Sequence, residues 1–211
     1  MIKISEELGM PIPKLDTIWS KADYQCYVFN YYPIDGYVPK SMVDGVKMEV
    51  ALMSKAFPTD RANVDSYIYQ FLMKDNMDIV KEYGLEPFEM NVQSLERTFI
   101  DKVFALCDYY MNDDLKMHSR HIYDIYMLLP KVKFNDEFIR LIKKVREHRQ
   151  KIDRCPSSAS DVDITALLSQ IIEKRVYEAD YEDITSYFQK KKIEYNEAIS
   201  SLKKIIDFSV F

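Results

Sequence analysis

Residues 94–129 read SLERTFIDKVFALCDYYMNDDLKMHSRHIYDIYMLL. In the first half Leu95, Phe99, Val103, Leu106 and Tyr110 recur at helical spacing, while Arg97, Asp101 and Asp108 fall on the polar side. In the second half Ile122, Ile125, Tyr126 and Leu129 form another apolar face. The stretch predicts two amphipathic helices. Each carries an ionisable residue at the edge of its apolar face, where Leu or Ala would pack more cheaply. Lys102 borders the stripe beside Leu95 and Leu106, with Thr98 and Tyr109 in the same row, and Asp124 lies on the flank between Arg120 and Leu128. The plain account is that Lys102 snorkels and Asp124 pairs with Arg120 one turn away, a contact worth about 0.2–0.5 kcal/mol.

Outward from this hairpin, the chain after Ser94 reads as helices near 94–111, 118–129, 134–152, 163–176, 181–189 and 192–207. Ser94 and Asn135 stand where N-caps belong, and Pro130 closes the second helix. The first 93 residues mix strand signals with loops rich in Pro and Asp. Asp23–Tyr32 is dense in aromatic and β-branched residues and stops at Pro33. In Asp44–Met53, Val46, Met48, Val50 and Leu52 alternate with Lys47 and Glu49, which sets those two charges side by side on the opposite strand face. A helix over 63–83 ending near Gly84, then a strand over 87–93, completes this half. The expected organisation is a domain over 1–93 and a helical domain over 94–211.

Composition sets outer bounds. The 211 residues are 47% hydrophobic and 13% aromatic, ample for a packed core, and only 4 are Gly, which favours helices with short connections. A net charge of −5 argues against non-specific coating of nucleic acid. Cys26, Cys107 and Cys155 are widely spaced, without a C-x-x-C, so neither a disulfide framework nor a zinc site is indicated. With neither a secretory h-region nor a run near the about 18–20 apolar residues of a membrane span, the chain reads as cytoplasmic with no membrane partner.

Other candidate features have ordinary readings. The segment Arg140–Arg154 holds seven Lys/Arg against Glu147 and Asp153, but its charges spread around the helix, as on a solvated surface, and phosphate binding is the rival. Asp161-Val162-Asp163 follows a polar loop and precedes ITALLSQII, where helix N-capping is expected. His118, His121 and His148 have no ligand spacing around them and read as structural or solvated. No G-x-S-x-G elbow exists.

ERTFIDKVFALCDYY at 96–110, followed by RHIYDIY at 120–126, resembles the signature of the AbiEii/AbiGii-type nucleotidyltransferase toxins of bacterial abortive-infection and toxin–antitoxin systems. The likeness extends through VKMEVAL, YGLEPFEMNVQSLERT and RCPSS. It implies an α+β fold, a nucleotidyltransferase-like mixed sheet followed by an all-helical C-terminal domain. It also implies nucleotide transfer from an NTP with Mg²⁺, to RNA such as tRNA or another acceptor, and a cognate antitoxin. Carried over by position, Lys102 matches the family's essential lysine, Asp124 the carboxylate of its last motif, and Glu49 the acid of the late core strand. Asp101 stands where the family more often has Glu. Their chemistry follows: Lys102 neutralises phosphate oxygens, Asp124 orients Lys102 or the nucleophile, and Glu49 is the expected metal ligand. Lys47, Thr98 and Arg120, their polar neighbours, are expected to touch substrate.

The family's first motif, Gly-Ser or Gly-Gly and then D-x-D, is not found before VKMEV. The glycines are Gly9, Gly36, Gly45 and Gly84, and the acids Asp16, Asp23, Asp35 and Asp44 stand isolated. The family pattern places that motif upstream of residue 1, so the chain is expected to correspond to a truncated toxin. Two functions remain open: a nucleotidyltransferase toxin or its remnant, and a catalytically inactive protein that binds an antitoxin, an RNA or a missing N-terminal half.

Overall fold

A computed structural model describes residues 2–13, 18–21, 24–30, 45–52, 57–189 and 191–211. The fold is α+β, and the chain divides into two compact units, Met1–Lys55 and Ala56–Phe211. Asp16, Asp23, Asp35 and Asp44 lie outside the described residues.

The first unit holds helix α1 (Ile2–Leu8) and strands β1 (Trp19–Lys21), β2 (Tyr24–Asn30) and β3 (Gly45–Ala51), an antiparallel sheet in that order. Cys26 and Phe29 of β2 are its buried side chains on the sheet. Gly45 is needed at the β3 end of the ladder, because a Cβ there would stand 2.6 Å from the Phe29 carbonyl oxygen. The expected strand is present, but its apolar face is not buried: Val46, Val50 and Leu52 are exposed and Met48 is half-buried. Alternation marks which residues share a face, and only packing decides whether that face is covered.

The second unit opens with β4 (Thr59–Val64), α2 (Tyr67–Leu72), α3 (Met77–Glu82) and β5 (Phe88–Gln93), with β4 and β5 paired antiparallel. The single helix expected over 63–83 is therefore corrected to a strand end and two short helices. Ser66 caps α2 by accepting from Tyr69 N, and Asp75 and Asn76, which favour turns over helix interiors, separate it from α3. Gly84, at φ +59°, ends α3. The strand at 88–93 follows as expected.

Beyond it come α4 (Leu95–Met111), α5 (Arg120–Leu128), α6 (Asp136–Arg149), α7 (Ile164–Lys174), α8 (Glu178–Asp183) and α9 (Tyr195–Phe208). The helix expected over 181–189 is α8 followed by a short 3₁₀ turn at Thr185–Phe188. Ser94 Oγ accepts from Arg97 N at 3.2 Å, Asn135 Oδ1 from Phe138 N at 2.9 Å and Asp163 Oδ1 from Ala166 N at 3.1 Å, so all three capping readings hold. Among the described residues no helix is long and apolar enough to cross a membrane.

Helix α4 is the axis of this unit, packing against α5, α6, α7 and the turn at Pro156–Ser158. Phe99, Val103 and Leu106 are buried as expected, and so are Ile100, Phe104 and Cys107, whereas Leu95 is exposed. The polar side of α4 needs correction: Arg97 and Asp108 are buried, not solvated. Arg149 of α6 explains this, with Nη1 3.2 Å from Asp101 Oδ1 and Nη2 2.5 Å from Asp108 Oδ2. Arg97 Nε pairs with Asp101 Oδ2 at 2.8 Å, and Asp108 Oδ1 accepts from Ser157 N at 2.9 Å and Ser157 Oγ at 2.6 Å. Buried charges persist when paired and hydrogen-bonded in this way. The solvated-helix reading of 140–154 is corrected in the same respect, since Arg149 faces inward and Arg146 donates to the Ala159 and Val162 carbonyls at 3.4 and 3.3 Å. Tyr177 and Tyr181 satisfy their hydroxyls on the Leu106 and Ile193 carbonyls at 2.9 and 3.0 Å.

Candidate functional site

The two ionisable residues at the helix edges meet. Lys102 Nζ of α4 lies 2.7 Å from Asp124 Oδ2 of α5, with side chains 28% and 35% exposed. The pairing is between helices, and no Arg120–Asp124 ion pair forms. Arg120 points to solvent. The contact is explained by the two apolar stripes: Phe99, Val103 and Leu106 against Ile122 and Ile125 hold α4 and α5 together, which brings the border residues of each stripe face to face. An ammonium at this distance donates one hydrogen bond to Asp124 and keeps two donors for another anion.

Thr98 lies one turn before Lys102, but its hydroxyl donates to the Ser94 carbonyl at 2.9 Å and accepts from Gln93 Nε2 at 3.3 Å. In the other direction the seam continues into aromatic rings. Tyr109 of α4 stacks on His118 with centroids 3.4 Å apart, and the His121 ring lies parallel at 5.6 Å. His121 is 7% exposed and neither ring nitrogen has a hydrogen-bond partner. Burial, reinforced by the Lys102 and Arg120 charges, pushes its pKa down to about 3. His118 is also held below the usual imidazole value by burial, against the pull of Asp114. Sequence reasoning left this stack out of the site. The signal was only the shared row of Lys102 and Tyr109 on α4.

Glu49 and Lys47 lie on β3 in the first unit. Lys47 Nζ is 3.1 Å from Glu49 Oε1, and the Tyr24 hydroxyl of β2 donates to the same oxygen. That bond raises the Tyr24 pKa to about 12. The side-by-side placement expected from the strand is present. Lys47 and Tyr24 engage one of the two Glu49 oxygens, and Mg²⁺ takes a near-octahedral set of oxygens, more than one carboxylate supplies. Among the described residues no group of three or more His, Cys, Asp or Glu is arranged to hold a metal ion.

The α+β fold is the one that the resemblance to the nucleotidyltransferase toxins implies. Residues 5–200 match the family model of the nucleotidyl transferase AbiEii toxin of type IV toxin–antitoxin systems, and the chain belongs to that family. No curated protein and no solved structure gives a match.

Proposed function

We propose that this chain is a toxin that transfers a nucleotide from an NTP to an RNA acceptor in the cytoplasm, with Lys102 as the phosphate-binding catalytic cation and Asp124 as its positioning partner. The Lys102–Asp124 contact at 2.7 Å carries the reading. Asp124 holds the ammonium in place and aims it, and the two remaining N–H donors reach non-bridging phosphate oxygens as charge spreads in transfer. The acceptor hydroxyl attacks the α-phosphorus, the bond to pyrophosphate breaks, and the hydroxyl proton is released. Arg120, exposed and one turn before Asp124, adds a second cation for the triphosphate. Thr98 and Lys47 have lesser parts in this reading, because their polar atoms already serve Ser94 and Glu49. Family membership leads to Mg²⁺ as the cofactor. The described residues do not assemble its ligands, so no step is routed through Glu49.

The test is incubation of the chain with each labelled NTP, Mg²⁺ and total tRNA. Label transfer that falls sharply in Lys102→Ala supports the reading. No transfer from any of the four NTPs overturns it for the chain alone.

A second reading has its own observation. Tyr67 and Phe71 on α2 are 76% and 79% exposed, and Tyr83, Phe88 and Met90 nearby are also exposed. Apolar side chains in such number, next to a sheet with two strands among the described residues, suit a binding protein that engages a cognate antitoxin. Capture of that antitoxin without turnover of any NTP would favour it.

A further inference from the structure

Away from Lys102 and Asp124, the second unit has a cavity of about 550 Å³ between the start of α4 and the first turns of α6. Its floor is apolar and held in place. The Phe57 ring is gripped by the Arg97 guanidinium at 4.3 Å and the His148 ring at 5.6 Å, while Phe138 beside it is buried. Arg97 Nη1 donates to the Phe57 carbonyl at 3.1 Å, and the Ser94 N–H to the Pro58 carbonyl at 3.0 Å.

Around this floor stand Lys133, Arg140 and Lys144. None forms an ion pair with a carboxylate among the described residues, and Lys144 instead rests over the Phe57 ring at 4.8 Å. Glu96 and Glu137 also line the cavity, yet they sit in the first turns of α4 and α6, where a carboxylate complements the helix dipole. Three cations left without carboxylate partners around an apolar floor match a ligand with a flat apolar part and a phosphate. The volume lies within the roughly 300–1,000 Å³ of small-ligand sites.

We infer that this cavity is a nucleotide-phosphate site, in which Lys133, Arg140 and Lys144 hold the phosphate of either a free mononucleotide or one unit of an RNA chain. In the RNA case the site anchors the acceptor and rests on the function proposed above. Binding is therefore measured without turnover, in full-length chain carrying Lys102→Ala/Arg120→Ala, which also removes both cations proposed above to contact phosphate. In that background a labelled single-stranded RNA 12-mer is followed by fluorescence anisotropy across salt concentrations, and each of the four NTPs by calorimetry.

Arg140→Ala/Lys144→Ala is expected to weaken binding and, on RNA, to lower the slope of log affinity against log salt by about 0.7 for each phosphate no longer neutralised. Glu137→Gln, which removes a charge of the opposite sign from the same cavity, is expected to tighten it. Lys203→Ala/Lys204→Ala, an equal loss of charge from the exposed face of α9, is expected to leave it unchanged. Loss confined to NTPs assigns the cavity to free nucleotide, and loss confined to RNA assigns it to the chain. Absence of binding to both, or equal losses in the two double variants, overturns the inference. Failure here leaves label transfer by the wild-type chain unaffected, and failure of transfer leaves this binding measurable.

Discussion

Arg149 near the end of α6 and Asp108 of α4 form a buried ion pair, Nη2 to Oδ2 at 2.5 Å, inside the unit that carries the candidate site. Asp108 also receives two hydrogen bonds from Ser157, so one carboxylate ties α4 to both α6 and the RCPSS loop. Asp108→Ala leaves the buried Arg149 guanidinium with Asp101 alone and the buried Ser157 N–H without its acceptor. The expected loss is about 3–5 kcal/mol, the range for breaking a buried pair from one side. Urea unfolding checks it, and a loss below about 1 kcal/mol, typical of an exposed pair, would show that the network does not hold the helices.

The Lys102–Asp124 pair is half in water, so its removal is expected to change stability by less than about 1 kcal/mol while changing label transfer strongly. If Asp124 acts only by aiming Lys102, the double variant Lys102→Ala/Asp124→Ala transfers label no more slowly than Lys102→Ala alone. Additive losses would mean that Asp124 also meets the acceptor.

His121 gives a pH dependence with a definite sign. Its folded pKa is about 3, against an ordinary value near 6.5, so between those limits the unfolded chain binds a proton that the folded chain does not. Its contribution to stability is full above about pH 6.5 and is lost as the pH falls toward 3, at up to about 1.4 kcal/mol per pH unit. His121→Leu removes that titration, and its stability is expected to fall less steeply than wild type between pH 6 and 4 by chemical denaturation. Parallel curves would mean that water or a ligand reaches the imidazole.

Asp163 caps α7 and has no part in metal binding in this reading. Asp163→Ala is expected to cost about 1 kcal/mol of stability and to leave the magnesium dependence of label transfer as in wild type. A shifted magnesium requirement would return Asp161-Val162-Asp163 to the catalytic machinery.

Much of this was legible in residues 94–129. The two apolar stripes, the caps at Ser94 and Asn135, the edge positions of Lys102 and Asp124 and the family likeness all rest on spacing within one or two helices. The strand at 45–51 was legible for the same reason, as was the side-by-side Lys47 and Glu49. The 59–64 strand was not, because TDRANV has no alternating apolar pattern and is a strand through its backbone pairing with 88–93. The Tyr109–His118–His121 stack was also hidden, since ring stacking depends on how α4 and α5 come together.

The sequence by itself determined which residues share each helix face, and so that a lysine and an aspartate 22 positions apart border neighbouring apolar stripes. Only the tertiary structure decided which partner Asp124 takes and that the charged side of α4 is interior. The reason is physical: periodicity ranks faces by hydrophobicity and assigns charge to water, whereas burial becomes favourable once a partner arrives. For Asp108 that partner is Arg149, 41 residues along the chain.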